Sequence, residues 1–249
     1  MVKKLIKKIL GRGEENDNNL VGTLNQSTRI DWLKGTLKKA PSGGRILDAG
    51  AGEQPFKEFC AHLNYVSQDF ALYNPEELKS GLHLGKWDYG KLDIISDITE
   101  IPEPDESFDA IMCTEVFEHI PNPREALKEF TRLLKKDGHL ILTAPFCSLT
   151  HFAPYHFYTG FSKYFYEKEL LANNFQIVEI QTNGNYFEYM AQETRRIPSM
   201  ASKYADTKIG FLDKLALTRT LKMLARLSSK DRGSDELLCF GYHVLAKKK

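Results

Sequence analysis

An apolar run closing on two glycines, Arg45-Ile46-Leu47-Asp48-Ala49-Gly50-Ala51-Gly52, constrains the fold of this chain more than any other feature of its sequence. Arg45–Ala49 has the apolar character of a short buried strand. The glycines behind it let the backbone turn tightly and approach a ligand closely. A helix predicted over Pro55–Leu63 would aim its first amide groups at that ligand. The pattern then repeats. Strands are predicted at Tyr65–Phe70, Leu92–Asp97, Phe108–Cys113 and His139–Ala144, and a helix at Pro123–Lys135. Such alternation gives a mostly parallel sheet covered on both faces, and sheets of this kind bind ligands beyond the carboxyl ends of their strands.

The flanking sequence elaborates that core. A helix is predicted over about 20–39, ended by Pro41-Ser42-Gly43-Gly44. Residues 71–91 contain Pro75, Gly81, Gly85 and Gly90, which argue for a long irregular loop with one helical turn at Pro75–Leu78. An aromatic-rich stretch, His151–Tyr166, leads to a helix at Glu167–Asn173 and a strand at Phe175–Gln181. Residues 186–228 read as helical, with breaks near Pro198 and Gly210, and a last strand covers about Leu238–Ala246. The organisation is thus a segment of residues 1–19 and one domain of residues 20–249 that carries a helical insertion at 186–228.

Residues 2–10 form an amphipathic pattern, with Val2, Leu5, Ile6, Ile9 and Leu10 on one face and lysines on the other. Two readings stand: a membrane-surface or partner-binding helix, and a frayed or self-packed terminus. Elsewhere no apolar run approaches the roughly 20 residues of a membrane-spanning helix. The four cysteines are scattered without a Cys-x-x-Cys pair, which fits a reducing cytoplasm and neither a disulfide framework nor a zinc site. The net charge is +1, yet basic residues crowd both ends, so the body between is acidic. No nucleic-acid partner is expected of such a body.

Five motifs carry the chemistry. Gly50 and Gly52 follow Asp48, and Pro55 stands where a nicotinamide-dinucleotide fold would need its third glycine. Asp69 ends the second strand, where an acid can accept ribose hydroxyls. Asp97 and Ile98 follow the third strand, Thr114-Glu115-Val116-Phe117-Glu118-His119 the fourth, and Leu133-Leu134-Lys135-Lys136-Asp137-Gly138 precedes the fifth.

In order and spacing these motifs resemble the class I S-adenosylmethionine-dependent methyltransferases. The resemblance covers about residues 45–183, and the last strand belongs with it. It implies a Rossmann-like, seven-stranded, mostly parallel sheet with the last strand antiparallel. It also implies a cofactor site at Asp48, Gly50, Gly52, Asp69, Asp97, Ile98 and Glu115. More narrowly, residues 93–196 resemble type 11-like methyltransferases encoded with bacterial surface-polysaccharide synthesis.

The acceptor side is read from Glu115, Glu118 and His119. If the chain turns helical after the fourth strand, all three share one face. The Glu-x-x-Glu-His pattern is similar to that of two metal-using methyltransferase groups, one acting on the terminal ribose of small RNAs and the other on ubiquinone precursors. That resemblance implies a divalent metal held by Glu115, Glu118, His119 and a further histidine, His156 first and His151 second. Without a metal, His119 or His156 serves as general base, with Glu118 beside them. The dense aromatics at 151–166 suit a sugar ring or a flat phenol, and the insertion at 186–228 would form a cap over the acceptor pocket or a dimer surface. The sequence therefore points to O-methylation of a sugar or other small hydroxyl acceptor in bacterial glycan biosynthesis, in the cytoplasm, with peripheral contact at the inner membrane surface through residues 1–12. The rivals are a quinone or phenol methyltransferase and a non-catalytic binding subunit on the same fold.

Overall fold

A computed structural model of the chain describes residues 20–74, 82 and 87–249. The basic helix and linker expected in residues 1–19, and the turn expected at Pro75–Leu78, lie outside them. The described residues form two compact units: residues 25–184 with 238–249, and Leu20–Leu24 with 185–237.

The larger unit is built on β1 (Arg45–Ala49), β2 (Asn64–Asp69), β3 (Ile94–Ile95), β4 (Phe108–Thr114), β5 (Leu134–Pro145), β6 (Phe175–Asn183) and β7 (Gly241–Lys248). They form one sheet in the order β3-β2-β1-β4-β5-β7-β6. The first five pair in parallel, and β7 lies antiparallel between β5 and β6. This is the expected Rossmann-like class. Both faces of the central strands β1, β4 and β5 are buried because neighbouring residues on them are mostly apolar. Leu47, Ile111 and Leu140 pack one face under α2 (Pro123–Leu133) and α3 (Lys163–Ala172). Ile46, Ala110, Met112 and Ile141 pack the other with Leu33 and Leu37 of α1 (Asn25–Leu37). Helix α2 starts on Pro123, whose fixed φ suits a first helical position. It turns Ala126, Leu127, Phe130 and Leu133 inward.

Several elements differ from expectation. Pro55–Leu63 is not an α-helix; only a 3-10 turn, Lys57–Cys60, forms there. The glycine turn and Pro55 take the first half of the connection, and the 3-10 rise of about 2.0 Å per residue returns the chain to Asn64 in fewer residues. The segment after β1 therefore presents no α-helix N-terminus to the glycine turn. The third strand shrinks to two residues, which limits the open edge of the sheet. Strand β5 begins early, at Leu134, and bulges out through Lys135–Gly138 before pairing resumes at His139.

The smaller unit is a helical hairpin of α4 (Tyr186–Tyr204) and α5 (Phe211–Ser228). Val21, Ala191, Leu224 and Ala225 are its buried core, flanked by Phe187 and Leu221. Asn185 caps α4 by accepting the Glu188 amide at 3.0 Å. The break expected at Pro198 is absent: α4 runs through it, although proline removes a backbone donor. Among the described residues no helix is long and apolar enough to cross a membrane.

Candidate functional site

The residues expected to form the site lie at the carboxyl ends of β1, β2, β4 and β5. Gly50 (φ +77°) and Gly52 (φ +51°) adopt left-handed backbone. The amides of Gly50 and Ala51 both donate to the Gln68 carbonyl at 2.9 Å, tying the turn to the end of β2. A Cβ on Gly50 would lie 2.6 Å from a methyl of Val116, and one on Gly52 would meet the Trp87 ring at 3.0 Å. Gly50 therefore needs glycine for space as well as for conformation, and Gly52 needs it for conformation.

Asp69 accepts from the Gly52 amide at 2.9 Å and the Ala71 amide at 3.1 Å, one oxygen each. A carboxylate has about four acceptor positions, so capacity remains for a diol. Burial pushes its pKa up, and the backbone amides oppose that. Asp48 sits below the turn, buried, where the Tyr65 hydroxyl donates to it at 2.7 Å. Burial pushes its carboxyl up to about 7, against the Tyr65 hydrogen bond and with a further push from Asp69. The pair after β3 divides: exposed Asp97 accepts from the Thr99 amide and hydroxyl, and Ile98 is buried in the core.

After β4 the chain makes only a 3-10 turn, Phe117–His119, with Glu115 in the left-handed region (φ +54°). Glu115, Glu118 and His119 therefore do not share a helical face, contrary to expectation. Glu115 accepts from the Thr143 hydroxyl at 2.9 Å and pairs with Arg29 of α1 at 2.9 Å. Glu118 is 1% exposed. Its Oε1 lies 3.6 Å from His119 Nε2 and 3.8 Å from His151 Nε2, and its Oε2 is buried without a partner. His119 Nδ1 donates to the Tyr155 carbonyl at 2.6 Å, which leaves Nε2 with its lone pair toward Glu118. Burial, and then the neighbouring His151, push the His119 pKa down to about 3. Burial and Glu115 push Glu118 well above the carboxylate range.

Ligand atoms of Glu118, His119 and His151 all lie within 4.8 Å of one another, a spacing that could hold a metal ion. His151, the second choice from sequence, is thus the histidine in the cluster. His156 instead meets Ser148 Oγ at 3.2 Å, with its ring 6.0 Å from that of His119.

Aromatic rings from two loops surround these groups. Tyr73 stacks on Phe152 at 3.5 Å between centroids, Trp87 stands edge-on to both, and Phe152 lies 4.7 Å from His119. Sequence reasoning missed Tyr73, Trp87 and Arg29. Trp87 stood in a segment read only as loop, and Arg29 occupies one position of a polar helix with nothing local to single it out.

Residues 25–221 match the family described as Methyltransferase domain. The chain belongs to the class I S-adenosylmethionine-dependent methyltransferases. Among curated relatives, it is 31% identical over 119 residues to ubiquinone biosynthesis O-methyltransferase of Dechloromonas aromatica, covering 46% of this chain and 49% of that protein. It is 35% identical over 124 residues to the protein of that name from Xylella fastidiosa, covering 46% of each. The chain spans about half the length of the curated relatives it matches. Among solved structures, the YcgJ protein of Bacillus subtilis superposes with a TM-score of 0.51 at 14% identity, covering 90% of this chain and 99% of that one. Phosphoethanolamine N-methyltransferase 2 of Haemonchus contortus, solved with S-adenosyl-L-methionine, gives 0.50 at 18% identity, covering 98% and 55%. These two likenesses are of fold.

Proposed function

We propose that this methyltransferase transfers a methyl group to a hydroxyl oxygen of a small acceptor, with a phenolic ring as the first acceptor class. The observation that carries the reading is the Glu118–His119–His151 cluster, walled by Phe152, at the same sheet edge as the glycine turn. The names of the curated relatives support the phenolic class. Aromatic walls also stack on sugar rings, so a sugar hydroxyl in glycan biosynthesis is the second class, in line with the resemblance of residues 93–196. A cytoplasmic setting accords with the four free thiols, and membrane contact by residues 1–12 with their basic amphipathic sequence.

S-adenosylmethionine supplies the methyl group on a sulfonium. The acceptor oxygen would bond to the methyl carbon as the carbon–sulfur bond breaks with its electrons passing to sulfur, and the hydroxyl proton would pass to solvent water. This chain's contribution is alignment, which is worth several kcal/mol in such a displacement. Gly50 and Gly52 would give close approach, Asp69 would accept the ribose hydroxyls, and Arg29, with its Nε buried and unpartnered, would meet the cofactor carboxylate. Glu118, His119 and His151 would hold a divalent cation. The unpartnered Oε2 of Glu118 and the lone pair on His119 fit that role, and such an ion makes a bound hydroxyl easier to deprotonate. A pKa near 3 makes His119 a weak general base, which favours the ligand role over the base role.

The test is methyl incorporation from radiolabelled S-adenosylmethionine into catechols, other phenols and sugars, with and without chelation. Label in a phenol that is lost on chelation and restored by magnesium, manganese or zinc supports the whole reading. Label unaffected by chelation removes the metal. Calorimetry showing no binding of S-adenosylhomocysteine would favour a non-catalytic subunit.

A further inference from the structure

The tip of the helical hairpin is apolar, exposed and surrounded by lysines. Tyr204 ends α4 and Phe211 and Leu212 open α5; they are 64%, 70% and 76% exposed. Lys203, Lys208 and Lys214 interleave with them in sequence. Between Arg195 and Lys230 nine basic side chains stand against two acids. One of those acids, Asp213, folds back to accept the Gly210 amide at 2.9 Å and caps α5. The packed core of the hairpin is at the opposite end, around Ala191 and Leu224. From Ala191 to Tyr204, and from Leu224 back to Phe211, is thirteen residues of helix. At 1.5 Å per residue the tip stands about 20 Å beyond the core that anchors it.

We infer that this tip docks on an anionic lipid surface. Tyr204, Phe211 and Leu212 enter the interfacial layer, and Lys203, Lys208 and Lys214 meet the lipid phosphates. Apolar side chains left this exposed in a cluster mark an interaction surface. The three apolar side chains are more than 60% exposed, and a bilayer accepts apolar groups without a shaped pocket. The basic surplus along both helices repels a second copy of the same tip and is attracted to anionic headgroups. The inference does not depend on residues 1–12 or on the identity of the methyl acceptor.

The experiment is co-sedimentation of the full chain with vesicles of equal parts phosphatidylcholine and phosphatidylglycerol, against vesicles of phosphatidylcholine alone. Two double variants are compared with wild type, Phe211→Ser with Leu212→Ser, and Lys208→Glu with Lys214→Glu. Wild type is expected to sediment with the anionic vesicles and weakly with the neutral ones, and each double variant to lose roughly tenfold in partitioning. Circular dichroism should be unchanged in both, because the substituted side chains are exposed. The inference is overturned if wild type ignores anionic vesicles, or if both variants sediment as wild type does. It is also overturned if light scattering shows that the variants break up a dimer.

Discussion

Asp48→Asn isolates the cost of the buried acid beneath the glycine turn. The Asp48 carboxyl is fully buried and its pKa rises from the ordinary 3.8 to about 7. A raised pKa means that folding favours the protonated form. Wild-type stability from this group is therefore complete below about pH 3.8 and is lost as pH rises toward 7. At about 1.4 kcal/mol per pH unit the full loss is on the order of 4 kcal/mol. Asparagine does not titrate and keeps an oxygen for the Tyr65 hydroxyl. Between about pH 5 and about pH 8 the variant should gain roughly 3 kcal/mol on wild type, with the two proteins closest at the acid end. Urea unfolding of both proteins across this range measures the difference, and other titrating groups largely cancel from it. A difference that is flat with pH, or that shrinks as pH rises, would refute the claim that burial dominates at Asp48.

Four further outcomes are expected. Gly50→Ala forces a side chain into Val116 and a left-handed backbone, so it should cost roughly 2–3 kcal/mol in urea unfolding and weaken S-adenosylhomocysteine binding by calorimetry. Arg29→Met should weaken that binding roughly tenfold or more, and Arg29→Lys should recover only part of it, because a lysine cannot keep the Glu115 pair and also present a second fixed N–H like Nε. His151→Ala should raise the metal concentration needed for half-maximal activity, and His156→Ala should leave it unchanged; equal effects would remove His151 from the proposed centre. The chain has two tryptophans, so in a Trp32→Phe background S-adenosylhomocysteine should change the emission of Trp87, which rests on Gly52. An unchanged spectrum would mean that the ring and the ligand do not share this space.

The sheet was legible because its strands are short apolar runs bounded by turn residues, and the order of the five motifs matched a known family. The connection after β1 was misread because Phe56, Phe59, Cys60 and Leu63 recur at three- and four-residue steps. That spacing belongs equally to an α-helix and to a 3-10 turn packed on the same face. Glu115 was misread because residue type does not announce a left-handed backbone, and a chain that turns there does not continue as a helix carrying all three residues on one face. The choice between His151 and His156 depended on how a loop folds against residues more than thirty positions earlier. Sequence spacing holds no information on that.

Leu20–Leu24 belongs with the hairpin although most of the chain separates them. Gly22 donates its amide to Glu188, 166 residues later, and the Val21 carbonyl accepts from Arg195 Nε at 2.7 Å. During synthesis this stretch is made before the sheet and finds its partners only after the strands up to β6 have been made. Contacts of such long separation form late, because closing the loop costs entropy before any contact repays it. The family match begins at residue 25. A truncation there would remove Val21 and Gly22, leave Ala191 and Leu224 without their cover, and loosen the hairpin, and the other end of the match, residue 221, falls inside α5.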